Sequence, residues 1–299
     1  MSAGQPLLIA PRGPGEVLDH AGSIVRRIFP QALRAVLIGY LPWSILCSLL
    51  LIPGAQEFSR GVLPPPEVVR RHLIWMTVWI VGDAFLLRQF SRGWLLALVG
   101  AELQGKKIRS RSAAGTGLRR LPATVVATLL TLGPFYGFMW LMTATASQQQ
   151  EAVLTMMIAS PLVMLIGIPL ATLGYLAPAI AVLERRGPFS AMARSVRLTT
   201  SGFGTVILVV VVLFIVRFFA GIVPATIPNI WIQTTLNATF LALLAIFEAS
   251  VEGVLYFQLR CRREDYDLEL LAREVELMGS LEVESVPPRL GGALLDPKR

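Results

Sequence analysis

The chain has 299 residues, of which 54% are hydrophobic and 15% charged, and its mean hydropathy is +0.64. Soluble domains carry about 25% charged residues, so this composition excludes an ordinary water-soluble globule and predicts an all-α, polytopic membrane protein. The formal net charge of +8 comes without an interleaved aromatic and basic motif, so no nucleic-acid partner is expected.

Residues 1–15 are rich in Gly and Pro and read as a flexible N-terminus without a signal peptide. Glu16–Phe29 reads as an amphipathic helix with Val17, Leu18, Ala21, Ile24, Val25 and Ile28 on one face and Glu16, Asp19, His20, Ser23, Arg26 and Arg27 on the other. It is expected to lie on the inner membrane surface and to close at Pro30. Six membrane helices follow, at about 33–52, 72–100, 122–145, 152–183, 203–224 and 236–259. They pair into three hairpins, each entered through a basic amphipathic elbow. In the central elbow, Gly187-Pro188 breaks and restarts the chain after Glu184-Arg185-Arg186. The second elbow contains Gly115 and Gly117, which weaken its helical reading. The membrane domain thus spans 16–260, and an acidic cytoplasmic tail occupies 261–299. Leu268, Leu271, Val275 and Met278 form an apolar stripe on that tail, suited to a protein partner or to resting on the basic loops.

The basic residues set the orientation. Of 27 Lys and Arg, 23 fall in segments 1–34, 88–120, 185–197 and 260–299, against 3 at Arg60, Arg70 and Arg71 on the other side; Arg217 lies within a helix. Positive charge stays cytoplasmic, so both termini are expected in the cytoplasm, with loops 53–71, 146–151 and 225–235 outside. The membrane-surface basic residues are Arg26, Arg27, Lys106, Lys107, Arg119, Arg120, Arg185, Arg186, Arg194 and Arg197. Elbow plus hairpin recurs at roughly 16–104, 108–183 and 187–260, a weak internal repeat.

Three patches resemble one bacterial family. They are Gly15-Glu16-Val17-Leu18-Asp19 with Arg27 and Phe29, then Gly187-Pro188 with Ser195, Arg197, Leu198, Thr199 and Phe203, then Leu255-Tyr256-Phe257-Gln258-Leu259-Arg260 with Arg263, Tyr266, Asp267, Leu268 and Glu269. Together they resemble the glycerophosphoryl diester phosphodiesterase membrane-domain family and its stand-alone relatives. Val196, Ser201, Gln258 and Asp265 depart from the family pattern. The resemblance implies a six-helix domain of the bacterial cytoplasmic (inner) membrane. It does not imply phosphodiesterase activity, which belongs to a separate barrel domain.

The residues that carry chemistry are charges inside the bilayer. Arg217 lies in the fifth helix, Glu248 and Glu252 lie one turn apart on the sixth, and Asp83 lies in the second. At 1.5 Å per residue, Arg217 is about 20 Å from the inner face, while Glu248 and Asp83 are each about 15 Å from the outer face. An unpaired charge at such depth costs about 3 kcal/mol or more, so Arg217 is expected to pair with Glu248 or, failing that, with Asp83. The set reads either as a structural ion pair or as part of a solute or proton route. Gly100-Ala-Glu-Leu-Gln-Gly105-Lys106-Lys107 imitates a P-loop, but Lys107 stands where Ser or Thr is required and no strand precedes it, so it reads as a basic helix end. His20 and His72 are too few for a zinc motif, and no nucleophile–base set is visible, so no catalytic residue, metal or cofactor is expected.

Two functions fit. The first is a non-enzymatic scaffold or accessory subunit of the inner membrane, whose partners are the lipid bilayer and a membrane or cytoplasmic protein. The second is a transporter of a small polar or lipid-like solute that uses the buried charges. A transporter requires a water-accessible cavity reaching Glu248 and Arg217; a scaffold requires a packed core there. Oligomeric state is left open by the sequence.

Overall fold

The computed structural model describes residues 13–39, 87–106, 108–146, 167–225 and 229–264, with isolated positions at 41, 42, 45, 67, 70, 71, 74, 165 and 227. The described residues are all-helical, without a strand. Their helices are α1 (Pro14–Gly39), α2 (Arg88–Leu103), α3 (Ser110–Ala146), α4 (Ala177–Leu183), α5 (Pro188–Thr200), α6 (Phe203–Ala225) and α7 (Ile230–Glu264). Asp83, Lys107, Cys47 and the tail beyond Glu264 lie outside the described residues. So do half of the expected first helix, most of the N-terminal half of the second and the beginning of the fourth. Among the described helices, α6 and α7 are long and apolar enough to cross a membrane by length and composition.

The amphipathic helix does not close at Pro30. It runs on to Gly39 with Pro30 inside it. Proline removes one backbone hydrogen bond and strains the preceding turn. Here the apolar face is continuous across it: Val17, Ala21, Ile24, Ile28, Ala32, Ala35 and Val36 are all buried. That face packs into the core with α2 and α7, so it is covered by protein instead of lying on lipid. His20, read as polar-face, is turned inward and only 7% exposed.

The second elbow is likewise fused to the helix that follows, within the 37-residue α3. Gly117, expected to weaken this helix, serves packing instead. A Cβ on Gly93 would lie 3.1 Å from the Cα of Gly117, and one on Gly117 would lie 2.7 Å from the backbone nitrogen of Trp94. Two facing glycines therefore let the backbones of α2 and α3 cross in contact, as small residues do at helix crossings.

The P-loop imitation is a helix end. Gly105 takes a φ of +66°, its N–H donates to Glu102 O at 3.0 Å, and the N–H of Lys106 donates to Ala101 O at 2.8 Å. This is the left-handed closure that satisfies the last carbonyls of a helix. The connection before the last helix is shorter than expected. Asn229 Oδ1 accepts from the N–H of Trp231 at 3.0 Å and of Ile232 at 3.3 Å, capping α7 from Ile230 instead of 236.

The central elbow stands where the sequence places it. α4 ends at Leu183, Gly187 is extended with Pro188 in the first turn of α5, and a turn at Ser201-Gly202 leads into α6. The core gathers α1, α2, α4 and the C-terminal half of α7, where Leu255, Tyr256, Phe257 and Leu259 are all buried. α6 packs chiefly on α7, with smaller contacts to α1 and α5.

Candidate functional site

The site is organised by one stripe of α7. Glu248, Glu252, Tyr256, Arg260 and Glu264 follow at four-residue spacing, which keeps them on one helix face. α2 presents Arg88 and Arg92 at the same spacing. Arg88 Nη2 lies 2.9 Å from Glu248 Oε2, and Arg92 Nη2 lies 2.7 Å from Glu252 Oε2. Both pairs step in the same sense along the chain, so α2 and α7 run side by side in one direction. Arg217 of α6 reaches the same Glu248 carboxylate, its Nη1 at 3.2 Å from Oε1 and 3.5 Å from Oε2. Glu248 is therefore shared by two guanidinium groups.

Glu252 is almost completely buried, and a broken helix supplies its second partner. Helical turns at 167–174 are interrupted at Tyr175-Leu176 before α4 resumes. Pro178 accounts for the break, since it has no N–H and crowds the preceding turn. The freed groups are taken up by side chains. Ala179 N–H donates to Glu252 Oε1 at 2.9 Å, and Arg92 Nη2 donates to Tyr175 O at 3.4 Å. Thr131 Oγ1 donates to Gly174 O at 3.4 Å, and Ser195 Oγ to Leu173 O at 2.7 Å. Groups from α2, α3, α5 and α7 thus converge on one helix interruption.

A cavity of about 340 Å³ lies against this arrangement. Arg88, Gln89, Ser91, Arg92, Thr128, Thr131, Tyr175, Arg217 and Glu248 form its polar lining, and Leu132, Ile168, Val210, Leu213 and Phe214 are among its apolar residues. Thr128 Oγ1 donates to Gln89 Oε1 at 3.0 Å across the α2–α3 wall. Among the described residues, no His, Cys or Lys borders the cavity and no group of three His, Cys, Asp or Glu could hold a metal ion. The chemistry on offer is recognition by guanidinium forks and hydroxyls.

At the other end of the α7 stripe, charges clip α5 to the helix end. Arg194 Nε donates to Glu184 Oε1 at 2.7 Å, and its two terminal nitrogens lie 2.6 and 2.8 Å from the carboxylate oxygens of Glu264. Glu184 also accepts from Tyr256 Oη at 3.0 Å and from Arg186 Nε at 2.6 Å. Hydrogen bonding to Glu264 first, and to Glu184 after it, holds the Arg194 guanidinium above its ordinary range against the opposing effect of burial. Arg263 donates to the carbonyl of Arg197. Arg194, read from the sequence as a membrane-surface residue, has its side chain 13% exposed inside an ion-pair cluster. Arg26, Arg119, Arg185 and Arg197 are exposed, as is Lys106, which bonds Gln104. Arg27 lies 3.7 Å from Glu102, and Arg120 Nη1 donates to the carbonyl of Arg185 at 3.0 Å. That bond steadies a residue with a φ of 56°, a left-handed conformation uncommon for arginine.

Arg217 and Glu248 thus come together, whereas Glu252 finds Arg92. The charge pattern counts Arg88 and Arg92 with the cytoplasmic basic segment 88–120 and leaves Glu184 at the edge of the central elbow. The signal that could have found the first two is their four-residue spacing, which matches that of Glu248 and Glu252. Comparison of the chain with protein-family models, with curated proteins and with solved structures finds no match. The described parts of the three patches that carry the family resemblance lie on α1, at α5 and the start of α6, and on α7 up to Arg263, and α7 packs against both α1 and α5.

The Arg217–Glu248 contact is expected to show a coupling of about 1 kcal/mol in a double-mutant cycle of Arg217→Leu and Glu248→Leu. It is modest because the Arg217 side chain is 34% exposed and Glu248 keeps Arg88. Thermal unfolding in neutral detergent measures it, and strictly additive effects would show that the two do not interact.

Proposed function

We propose that this chain is a six-helix protein of the bacterial inner membrane, with both termini cytoplasmic, that takes up a small polar or lipid-like solute as a carrier, without catalysing a reaction. The observation that supports this reading is the cavity of about 340 Å³ bordered by Arg88, Arg92, Arg217 and Glu248. Charges deep in a bilayer are costly, and where they border a space instead of packed side chains they mark solute pathways. The scaffold reading of the sequence calls for a filled core at these residues, so the open volume favours the carrier. The resemblance of the elbows and of the C-terminal signature to the phosphodiesterase membrane-domain family agrees with this membrane architecture and adds no chemistry of its own.

The test is solvent access. Cys47→Ala and Cys261→Ala remove the native thiols, and a single cysteine is then placed at Ala245, which borders the cavity, or at Leu255, which is 0% exposed. In protein reconstituted into liposomes, a water-soluble methanethiosulfonate is expected to label Ala245→Cys and spare Leu255→Cys. Equal resistance at the two positions would sink the carrier reading.

A further inference from the structure

The cavity pairs two chemistries. α2 lines it with Arg88, Ser91 and Arg92, whereas α6 lines it with Val210, Leu213 and Phe214 before reaching Arg217. Phe214 is 40% exposed and continues into an outward apolar surface with Ile215, Phe218 and Phe219. α6 is held mainly by α7, and Phe214 both borders the cavity and faces outward, so it stands between the charged wall and the outer apolar surface. An alkyl chain can pass it while its polar end stays with the arginines.

Arg217 is the group suited to meet such an end. It contacts Glu248 through one nitrogen, at 3.2 and 3.5 Å, while Arg88 holds the same carboxylate at 2.9 Å. When Arg217 turns away, Glu248 keeps a charged partner, so the exchange strands no carboxylate. A guanidinium offers five N–H donors in a planar fork that matches two oxygens of a phosphate. Ser91 also borders the cavity, with its buried hydroxyl packed against Gly39 of α1, so that wall is closed and the open side is the one that α6 forms.

We infer that the cavity takes a single-chain amphiphile with a phosphate head, the head bound by Arg217 and the chain leaving past Phe214. This rests on the carrier reading and names its substrate class. The same phosphate chemistry could be met by a lipid headgroup or by free phosphate, and the probes separate these. Protein in phosphatidylcholine nanodiscs is titrated with dodecyl phosphate, dodecanol, dodecyltrimethylammonium and inorganic phosphate, with the melting temperature as readout. Dodecyl phosphate is expected to bind about tenfold or more tightly than dodecanol, in line with the value of a charge-assisted hydrogen bond. The cationic amphiphile and inorganic phosphate are expected to shift the melting temperature little. Arg217→Gln is expected to lose the preference for dodecyl phosphate, and Arg217→Lys to recover part of it. Ala245→Phe fills the cavity without removing a charge and is expected to abolish binding, which keeps the test decisive if Arg217→Gln folds poorly. Equal affinity for dodecyl phosphate and dodecanol, or full preference retained in Arg217→Gln, would overturn the inference. Inorganic phosphate binding as tightly as dodecyl phosphate would overturn the amphiphile. Labelling of Ala245→Cys is independent of all these arms, so a cavity open to water but indifferent to phosphate defeats this inference and leaves the carrier reading standing.

Discussion

Arg92→Leu is expected to lower stability by about 3–5 kcal/mol, the loss found when one member of a buried ion pair is removed. Glu252 is 1% exposed, and the lost contacts are Arg92 Nε and Nη2, each 2.7 Å from its Oε2. Among the described residues, leucine leaves the carboxylate with the N–H of Ala179 as its remaining donor, and it also withdraws the donor to Tyr175 O. Glu252→Gln is expected to cost less. It still offers an oxygen to Ala179, and the Arg92 it leaves behind is 22% exposed and borders the cavity. Combining Arg92→Leu with Glu252→Gln should restore much of the loss, because no buried charge remains. Thermal unfolding in neutral detergent gives the ranking. Arg92→Leu melting with the unaltered protein would show that Glu252 does not depend on it.

Gly117→Ala and Gly115→Ala are expected to move stability in opposite directions although they sit two residues apart in α3. A Cβ at Gly117 would lie 2.7 Å from the Trp94 nitrogen, a backbone atom that yields only if α2 moves. Forcing atoms into such a contact costs about 1–3 kcal/mol. A Cβ at Gly115 meets nothing within 4 Å. There alanine should stabilise by up to about 1 kcal/mol through its better helix propensity. Melting temperatures of the two single variants decide the matter, and shifts of the same sign would mean that the crossing is looser than described.

These glycines show where sequence reasoning stops. Glycine in a helix has a local cost, and that cost made the second elbow look weak; the compensating contact with Gly93 is non-local and leaves no mark in the surrounding sequence. Pro30 misleads in the same way, because its breaking tendency is local while the buried face from Val17 to Val36 extends across it. Gly187-Pro188 reads alike in sequence and structure, since there local backbone chemistry and tertiary packing agree. The all-α fold was legible from composition and apolar run length. The contact between Arg217 and Glu248 was legible from the cost of leaving either charge unpaired among apolar residues. Arg88 and Arg92 were missed because their position after an apolar run resembles a helix end, and only their register with α7 shows otherwise. Asn229 could have been found: Asn before an apolar run is a helix-start signal, and it was passed over for the longer apolar stretch downstream.

The spacing along α7 has a mechanical consequence. Its partners at Glu248, Glu252, Tyr256 and Glu264 come from four other helical segments and from the chain after α4, all read off one face. Slipping that helix by one residue would turn the face by about 100° and release every one of them together. α7 therefore behaves as a keyed shaft, able to be seated or unseated but not gradually turned. From Glu248 to Glu264 the keyed length is about 24 Å, so a tug on the α5 clip is felt at the cavity wall as a rigid displacement. α6, held chiefly along α7, joins the key through Arg217, so swinging it releases that contact while Glu248 keeps Arg88.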